Sequence, residues 1–316
     1  MSHSDKQSPV EYLNKQHRKL CGPERIDALR VCYPDLSSEH IPLLTKTLRQ
    51  VTWLQQLEIC NCKKLSPKDS VQLCEALRGS AELWYISFAG LDLGDQGLAA
   101  LTRLLSARSA AGNKIDFLRI ENCFNLGIDE SSEGNEDAGH EVIDANIWEE
   151  FAAVACKTLR SLDLTNNRLS SDQSIPGLVK AISNQREPSR LLSLILAENP
   201  IGDAGMHRLC GAIRNNRTLT MLSCAECGLT EVSDLYLEEM LRRNTALRRV
   251  YTYGNTSTKR SEPWRFWLRL NTKGRGLLEK DNGPSSLIPT VLAKASSGDP
   301  AILHGLLKHS VRHLRS

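Results

Sequence analysis

Cys224 and Cys227, in the stretch LSCAECGLT at 222–230, stand at the Cys-x-x-Cys spacing. Thiolates so placed can supply half of a tetrahedral zinc site, completed by a second pair of Cys or His at ligand distance. The same spacing serves thiol–disulfide exchange where a strand-to-helix turn lowers a thiol pKa. A third reading involves neither, with both side chains built into the fold. Cys60 and Cys62, separated by one residue, are too close for that motif. Elsewhere the chain holds no G-x-x-x-x-G-K-[ST], G-x-S-x-G or H-E-x-x-H, and its eight histidines are dispersed. The GRG at 274–276 is too short to cradle a phosphate by itself. Catalytic residues, metal ligands and cofactors are accordingly expected to be none, and the chain is not expected to be an enzyme.

The elements around the cysteine pair decide among the three readings. Leucines recur in a frame L-x-x-L-x-L-x-x-(N/C)-x-L, clearest in LRSLDLTNNRL from Leu159, LLSLILAENPI from Leu191 and LTMLSCAECGL from Leu219. Weaker copies begin at Ile26, Leu54, Leu83, Ile115 and Leu247, so successive starts lie 28, 29, 32, 44, 32, 28 and 28 residues apart. A period near 28 leaves room for a short strand and a full helix in each unit. Positions 4 and 6 of the frame point to one face of the strand and positions 3, 5 and 7 to the other, because side chains alternate along a strand. Apolar stripes at helical spacing follow each strand, as in VQLCEAL at 71–77, LAALTRLL at 98–105, WEEFAAVAC at 148–156 and MHRLCGAI at 206–213. Each unit can close its core only against its neighbours. The expected fold class is α/β: a solenoid with parallel strands on the concave face and helices on the convex face.

That frame settles the cysteines. Cys224 falls at position 6, where Val31, Ile59, Phe88, Ile120, Leu164 and Leu196 stand in other copies. Cys227 falls at position 9, with Asn167, Asn199, Asn255, Cys62 and Cys123. A short polar side chain there can satisfy backbone groups of the turn that leaves the strand. Cys74 and Cys210 match each other on helices. Cys21, Cys32 and Cys156 have no assigned place.

Three segments are expected. Residues 1–22 form a polar N-terminal cap with a helical patch, PVEYLNKQHRKLC. Residues 23–258 carry about eight repeats, and residues 259–316 form a helical C-terminal extension. The 44-residue step holds an insertion at 129–147 with seven acidic residues and no Lys or Arg, too polar to order itself. The extension is basic, with eleven Lys or Arg against four Asp or Glu. Its apolar stripes WRFWLRL and AILHGLLKHSVRHL suit a cap on the last unit or a helix that binds a partner. No apolar run reaches the ~18 residues of a membrane helix, and a net charge of +3 does not point to nucleic acid. Ten cysteines without a secretory leader in the sequence point to the cytoplasm, or the nucleus.

With its frame in place, the chain resembles the ribonuclease-inhibitor-like subfamily of leucine-rich-repeat proteins. The stretch LSLILAENPIGDAGMHRLCGAIRNNRTL at 192–219 carries the resemblance, and GDQGLAAL at 94–101 repeats its G-D-x-G-x-x-x-L element. It covers about residues 26–255. The extension, with its LRLNTKGRGLL core, resembles that of leucine-rich-repeat proteins of diatoms and oomycetes. The subfamily includes enzyme inhibitors, Ran-type GTPase activators, cytoskeletal caps and immune sensors, so the resemblance implies a horseshoe that binds proteins and leaves the partner open. Ran-type activators usually carry a long acidic tail, whereas this C-terminus is basic.

The resemblance and the frame together place function on the outward strand positions. Tyr85 and Phe117, at position 3 of adjacent units, should be neighbours, with Trp84 beside them. Arg119 occupies position 5 of the same unit as Phe117, and Asp163 occupies position 5 of the next. Arg249, Tyr251 and Tyr253 share the last strand, where a cap would dock. Glu121, Asp163, Glu198 and Glu226 make the middle of the rim acidic. The leading expectation is a non-enzymatic scaffold holding a protein partner on its concave face through these residues. The alternative is a regulator of the Ran-activator type, acting in trans on a GTPase.

Overall fold

The structure is a computed structural model and describes residues 8–22, 26–124, 143–184, 189–256, 264–278, 301, 302 and 304. Among these residues, eight strands and their helices alternate along the chain. The order is α1 (Pro9–Leu20), β1 (Ala28–Cys32), α2 (Ile41–Gln50), β2 (Gln56–Cys60), α3 (Pro67–Ala76), β3 (Tyr85–Ala89), α4 (Gly94–Ala110), β4 (Phe117–Glu121) and α5 (Ala145–Thr158). It continues with β5 (Ser161–Asp163), α6 (Ile175–Ser183), β6 (Ser193–Ile195), α7 (Gly202–Ile213), β7 (Met221–Ser223), α8 (Glu231–Arg243), β8 (Arg249–Tyr251), α9 (Trp264–Thr272) and α10 (Arg275–Leu278).

The eight strands form one sheet in sequence order, and every pairing is parallel. The register follows the leucine frame residue by residue: Ala28, Gln56, Tyr85, Phe117, Ser161, Ser193, Met221 and Arg249 pair in one row. Leu29, Leu57, Ile86, Leu118, Leu162, Leu194 and Leu222 lie beneath them, all buried. Each leucine so buried contributes ~1.5–3 kcal/mol relative to exposure. Strands stack about 4.8 Å apart while helices pack about 8–10 Å apart, so the stack must bend with the sheet on its inner side. The chain is an α/β solenoid with strands on the concave face and helices on the convex face.

Position 9 joins the units. The Asn199 side chain accepts from the amides of Asn167 and Leu169 and donates to the carbonyls of Leu164, Leu196 and Ala197. Asn167 and Asn255 repeat the arrangement one unit earlier and two later. Cysteine substitutes for it: the Cys123 thiol donates to Phe88 and Glu121, and the Cys227 thiol to Leu196 and Ala225. The residue just before this position turns left-handed, with φ of 55° at Asn61, 50° at Asn122, 54° at Asn166 and 65° at Gly90. Asn and Gly tolerate that region best. Glu198 and Glu226 stand there too, at φ 57° and 52°. A Cβ at Gly254, the same place in the last unit, would collide with the Glu226 side chain. The G-D-x-G element also acts between units. Asp203 accepts from Thr230 and Ser233 at the start of α8, and Asp95 accepts from the amide of Asp144.

Both ends are covered. α1 begins on a Ser8–Glu11 capping box and buries Leu13 and Leu20 beside α2, a helix the apolar-stripe reading had not singled out. At the other end, α9 follows the last strand and packs on α8, so WRFWLRL occupies the helix place of the eighth unit. Asn271 on α9 donates to the carbonyls of Asn244 and Leu247, as Asn244 does to Ile213 and Asn216 one unit earlier. GRG has a structural use. Gly274 adopts φ 98°, Gly276 comes against the backbone of Thr245, and the buried Arg275 donates to the carbonyls of Leu241 and Arg242 that end α8. Of the acidic insertion, residues 129–142 lie outside the described residues. Its last carboxylate, Asp144, caps α5 by accepting from Asn146 and Ile147. Most of the basic tail, 279–300, 303 and 305–316, also lies outside them.

Candidate interaction surface

The concave face is lined by positions 3, 5 and 7, and most of these residues are small or polar, among them Ser87, Ala89, Ser161, Thr165, Ser193, Ala197, Ser223 and Ala225. Short side chains are what parallel strands bending inward can accommodate. Aromatic residues gather on this face in two places.

The first is over β3–β5. Tyr85 and Phe117 pair across β3 and β4 and stack, with ring centroids 5.0 Å apart and planes 20° apart. Trp84, 40% exposed at the mouth of β3, meets Tyr85 edge-on at 5.8 Å. Next to the stack, Arg119 lies between two carboxylates, pairing with Glu121 on its own strand and with Asp163 Oδ2 at 3.6 Å across to β5. Asp163 also accepts from the amide and hydroxyl of Thr165 at 3.0 and 2.6 Å, which fixes its carboxylate. Ser87, beside Arg119 in the register, is buried with a hydroxyl that has no hydrogen-bond partner among the described residues. Aromatic faces and a held guanidinium thus sit within two strand steps. Trp84, Tyr85, Phe117, Arg119 and Asp163 are brought together as one patch.

The second is β8. Tyr251 and Tyr253 are 40% and 64% exposed, and Arg249 beside them is exposed too. These three are not part of the first patch. Four inter-strand steps of about 4.8 Å put β8 roughly 19 Å from Phe117. The expected acidic rim also divides. Glu121 and Asp163 are paired with Arg119, while Glu198 and Glu226 remain exposed. An ion pair nearer the N-terminus, Arg30–Glu58 at 3.3 Å on β1 and β2, was not foreseen, although both residues fall at position 5 of adjacent units.

The cysteines that opened the question are interior. Cys224 and Cys227 are both fully buried. Each acts on the other's ionisation, and the pair shares its first proton loss unequally. Cys224 is thereby pushed well above the usual thiol value, and Cys227 is lowered against the effect of burial. Among the described residues, no group of three or more His, Cys, Asp or Glu is placed to hold a metal ion. No helix among them is long and apolar enough to cross a membrane.

The chain is 31% identical over 175 residues to the bovine NACHT, LRR and PYD domains-containing protein 5, a match to 51% of this chain and 15% of that protein. This is a repeat protein of the leucine-rich-repeat type. The chain is also 30% identical over 98 residues to the mouse centrosomal protein of 78 kDa, a match to 31% of this chain and 12% of that protein. The leucine-rich-repeat chain therefore spans about an eighth and a seventh of the length of the curated relatives it matches. No family model matches it. Among solved structures, a Bacteroides fragilis protein aligns with a TM-score of 0.46 at 10% identity, over 77% of this chain and 70% of that one. A chain of the yeast Rad7–Elc1 complex aligns with a TM-score of 0.32 at 13% identity, over 81% and 86%. At such scores the fold assignment rests on the chain's own strand register.

Proposed function

We propose that this leucine-rich-repeat chain is a non-enzymatic scaffold of the ribonuclease-inhibitor-like kind, acting in the cytoplasm or nucleus, and that its concave face holds a protein partner. The observation that carries the reading is the Tyr85–Phe117 stack with Trp84 at its edge, standing on the outward face of the sheet. Aromatic groups on an outward face leave apolar area in water that a partner can cover, and they are the usual anchors of interfaces, worth about 2 kcal/mol or more each. Arg119, oriented by Glu121 and Asp163, supplies direction beside them. Arg249, Tyr251 and Tyr253 make a second contact, so the partner is large enough to span from β4 to β8. The full-helix units and the G-D-x-G element support the ribonuclease-inhibitor-like assignment.

The test is affinity capture from native cell extract with the wild-type chain and the Tyr85→Ala/Phe117→Ala variant. Thermal unfolding of both is measured alongside. The expected outcome is loss of the captured partner, at least tenfold, with unfolding temperatures within a few degrees. Retention of every captured protein by a folded double variant would remove the aromatic patch as the anchor.

A further inference from the structure

Cys32 and Cys60 end β1 and β2 and pair with each other in the parallel register. Both occupy position 7, so both side chains leave the sheet on its outward face. Neighbouring strands lie about 4.8 Å apart, inside the roughly 4.4–6.8 Å between Cα atoms that a disulfide spans. The register sets Cys32 and Cys60 side by side, the Asn61 side-chain amide donates to the Cys32 sulfur at 3.9 Å, and the ionisation of Cys60 responds to both Cys32 and the Arg30 guanidinium. Access is unequal. Cys32 is partly exposed and Cys60 is buried beneath it at 6%. The Tyr12 hydroxyl from α1 donates to the Arg30 carbonyl and accepts from the Cys32 amide, which holds this end of β1 in place. The motif pair, Cys224 and Cys227, offers no such access, and Cys62, Cys74, Cys123, Cys156 and Cys210 are interior.

We propose that Cys32 and Cys60 form a thiol–disulfide exchange site that takes low-molecular-weight disulfides of the glutathione disulfide class. Cys32, as thiolate, attacks one sulfur of the small disulfide. That S–S bond breaks, one small thiolate leaves and is protonated, and Cys32 carries the mixed disulfide. Cys60 then gives its proton to solvent and attacks the Cys32 sulfur, and the second small thiolate leaves and takes up a proton. Two protein thiols are oxidised to one disulfide while the small disulfide is reduced to two thiols. Burial, followed by the contact with Cys32, pushes the Cys60 thiol up to about 11, and Arg30 pulls the other way. Burial persists in the mixed disulfide and still disfavours the Cys60 thiolate, so the second step quickens as pH rises. The product is a covalent staple between the first two strands.

The experiment uses the full chain in a Cys21→Ser background, because Cys21 is exposed and would react on its own account. After incubation with glutathione disulfide at mildly alkaline pH, free thiols are counted in denaturant and the digest is read by mass spectrometry. The expected result is loss of both thiols, a peptide linking Cys32 to Cys60, and full reversal by dithiothreitol. With Cys60→Ser the reaction should stop at a stable glutathione adduct on Cys32; with Cys32→Ser, Cys60 should stay unmodified. The proposal is overturned if the chain with both cysteines stops at the adduct, if all its thiols survive, or if the linkage joins other cysteines. None of these readouts depends on a protein partner.

Discussion

Asn199 serves five backbone groups at once, two amides of the preceding unit and three carbonyls. All are in the interior, where water does not replace a lost partner, and each unsatisfied group costs about 1–3 kcal/mol. Asn199→Ala is expected to lower stability by ~3 kcal/mol or more in urea unfolding. Asn199→Cys should lose about half as much, because a thiol at this position still donates to carbonyls, as Cys227 and Cys123 do. If alanine and cysteine prove equally damaging, the equivalence of the two residue types at position 9 is wrong. The same reasoning explains why a Cys-x-x-Cys here has no exposed chemistry: one thiol fills a leucine's place and the other an asparagine's.

Between elements, helix spacing is set by a few close approaches. Gly177 on α6 faces Trp148 on α5; an added Cβ would lie 2.8 Å from Cδ1 and Nε1 of the indole. Trp148 cannot retreat, since it is buried and its Nε1 donates to Ser174 at 2.8 Å. Alanine in place of a helical glycine gains ~1 kcal/mol, whereas overpacking of this kind costs about 1–3 kcal/mol and strains a buried hydrogen bond. Gly177→Ala is therefore expected to lower the urea midpoint, and an unchanged or raised midpoint would mean that α5 and α6 separate freely. The position of α9 follows similar physics. The first stripe of the basic extension takes a helix place in the stack because Trp264 and Leu268 are buried there, and the Trp264 indole donates to Asp234 at 2.9 Å.

Across the whole molecule, units touch mainly their neighbours, so stability is close to a sum of unit and interface terms. Buried thiols give that sum a dependence on pH. Burial pushes Cys74, Cys123, Cys156 and Cys210 from 9.0 up to about 12. A folded-state value above the unfolded one means that the unfolded chain releases protons first. The contribution is complete below about 9 and is lost as pH rises toward about 12. The urea midpoint should fall across that window, and Cys74→Ala/Cys156→Ala, though less stable at neutral pH, should fall less steeply. Equal slopes would show that these thiols do not carry the alkaline loss.

The period of the leucines determined the repeat, the strand register and the inward or outward direction of each side chain, because those follow from alternation along a strand and from the need of each unit to bury its stripe against the next. Tyr85 beside Phe117 was legible for that reason, and so was the structural use of Cys224 and Cys227. Tertiary structure decided what depends on packing across units. It paired Arg119 with two carboxylates that had counted as an acidic rim, and it placed α9 within the last unit. It also brought Cys32 against Cys60, which lie 28 residues apart in the chain and form no motif. Spacing along a chain reports direction; contact, exposure and charge pairing depend on how closely neighbouring units approach, and that distance is set by side chains from several units together.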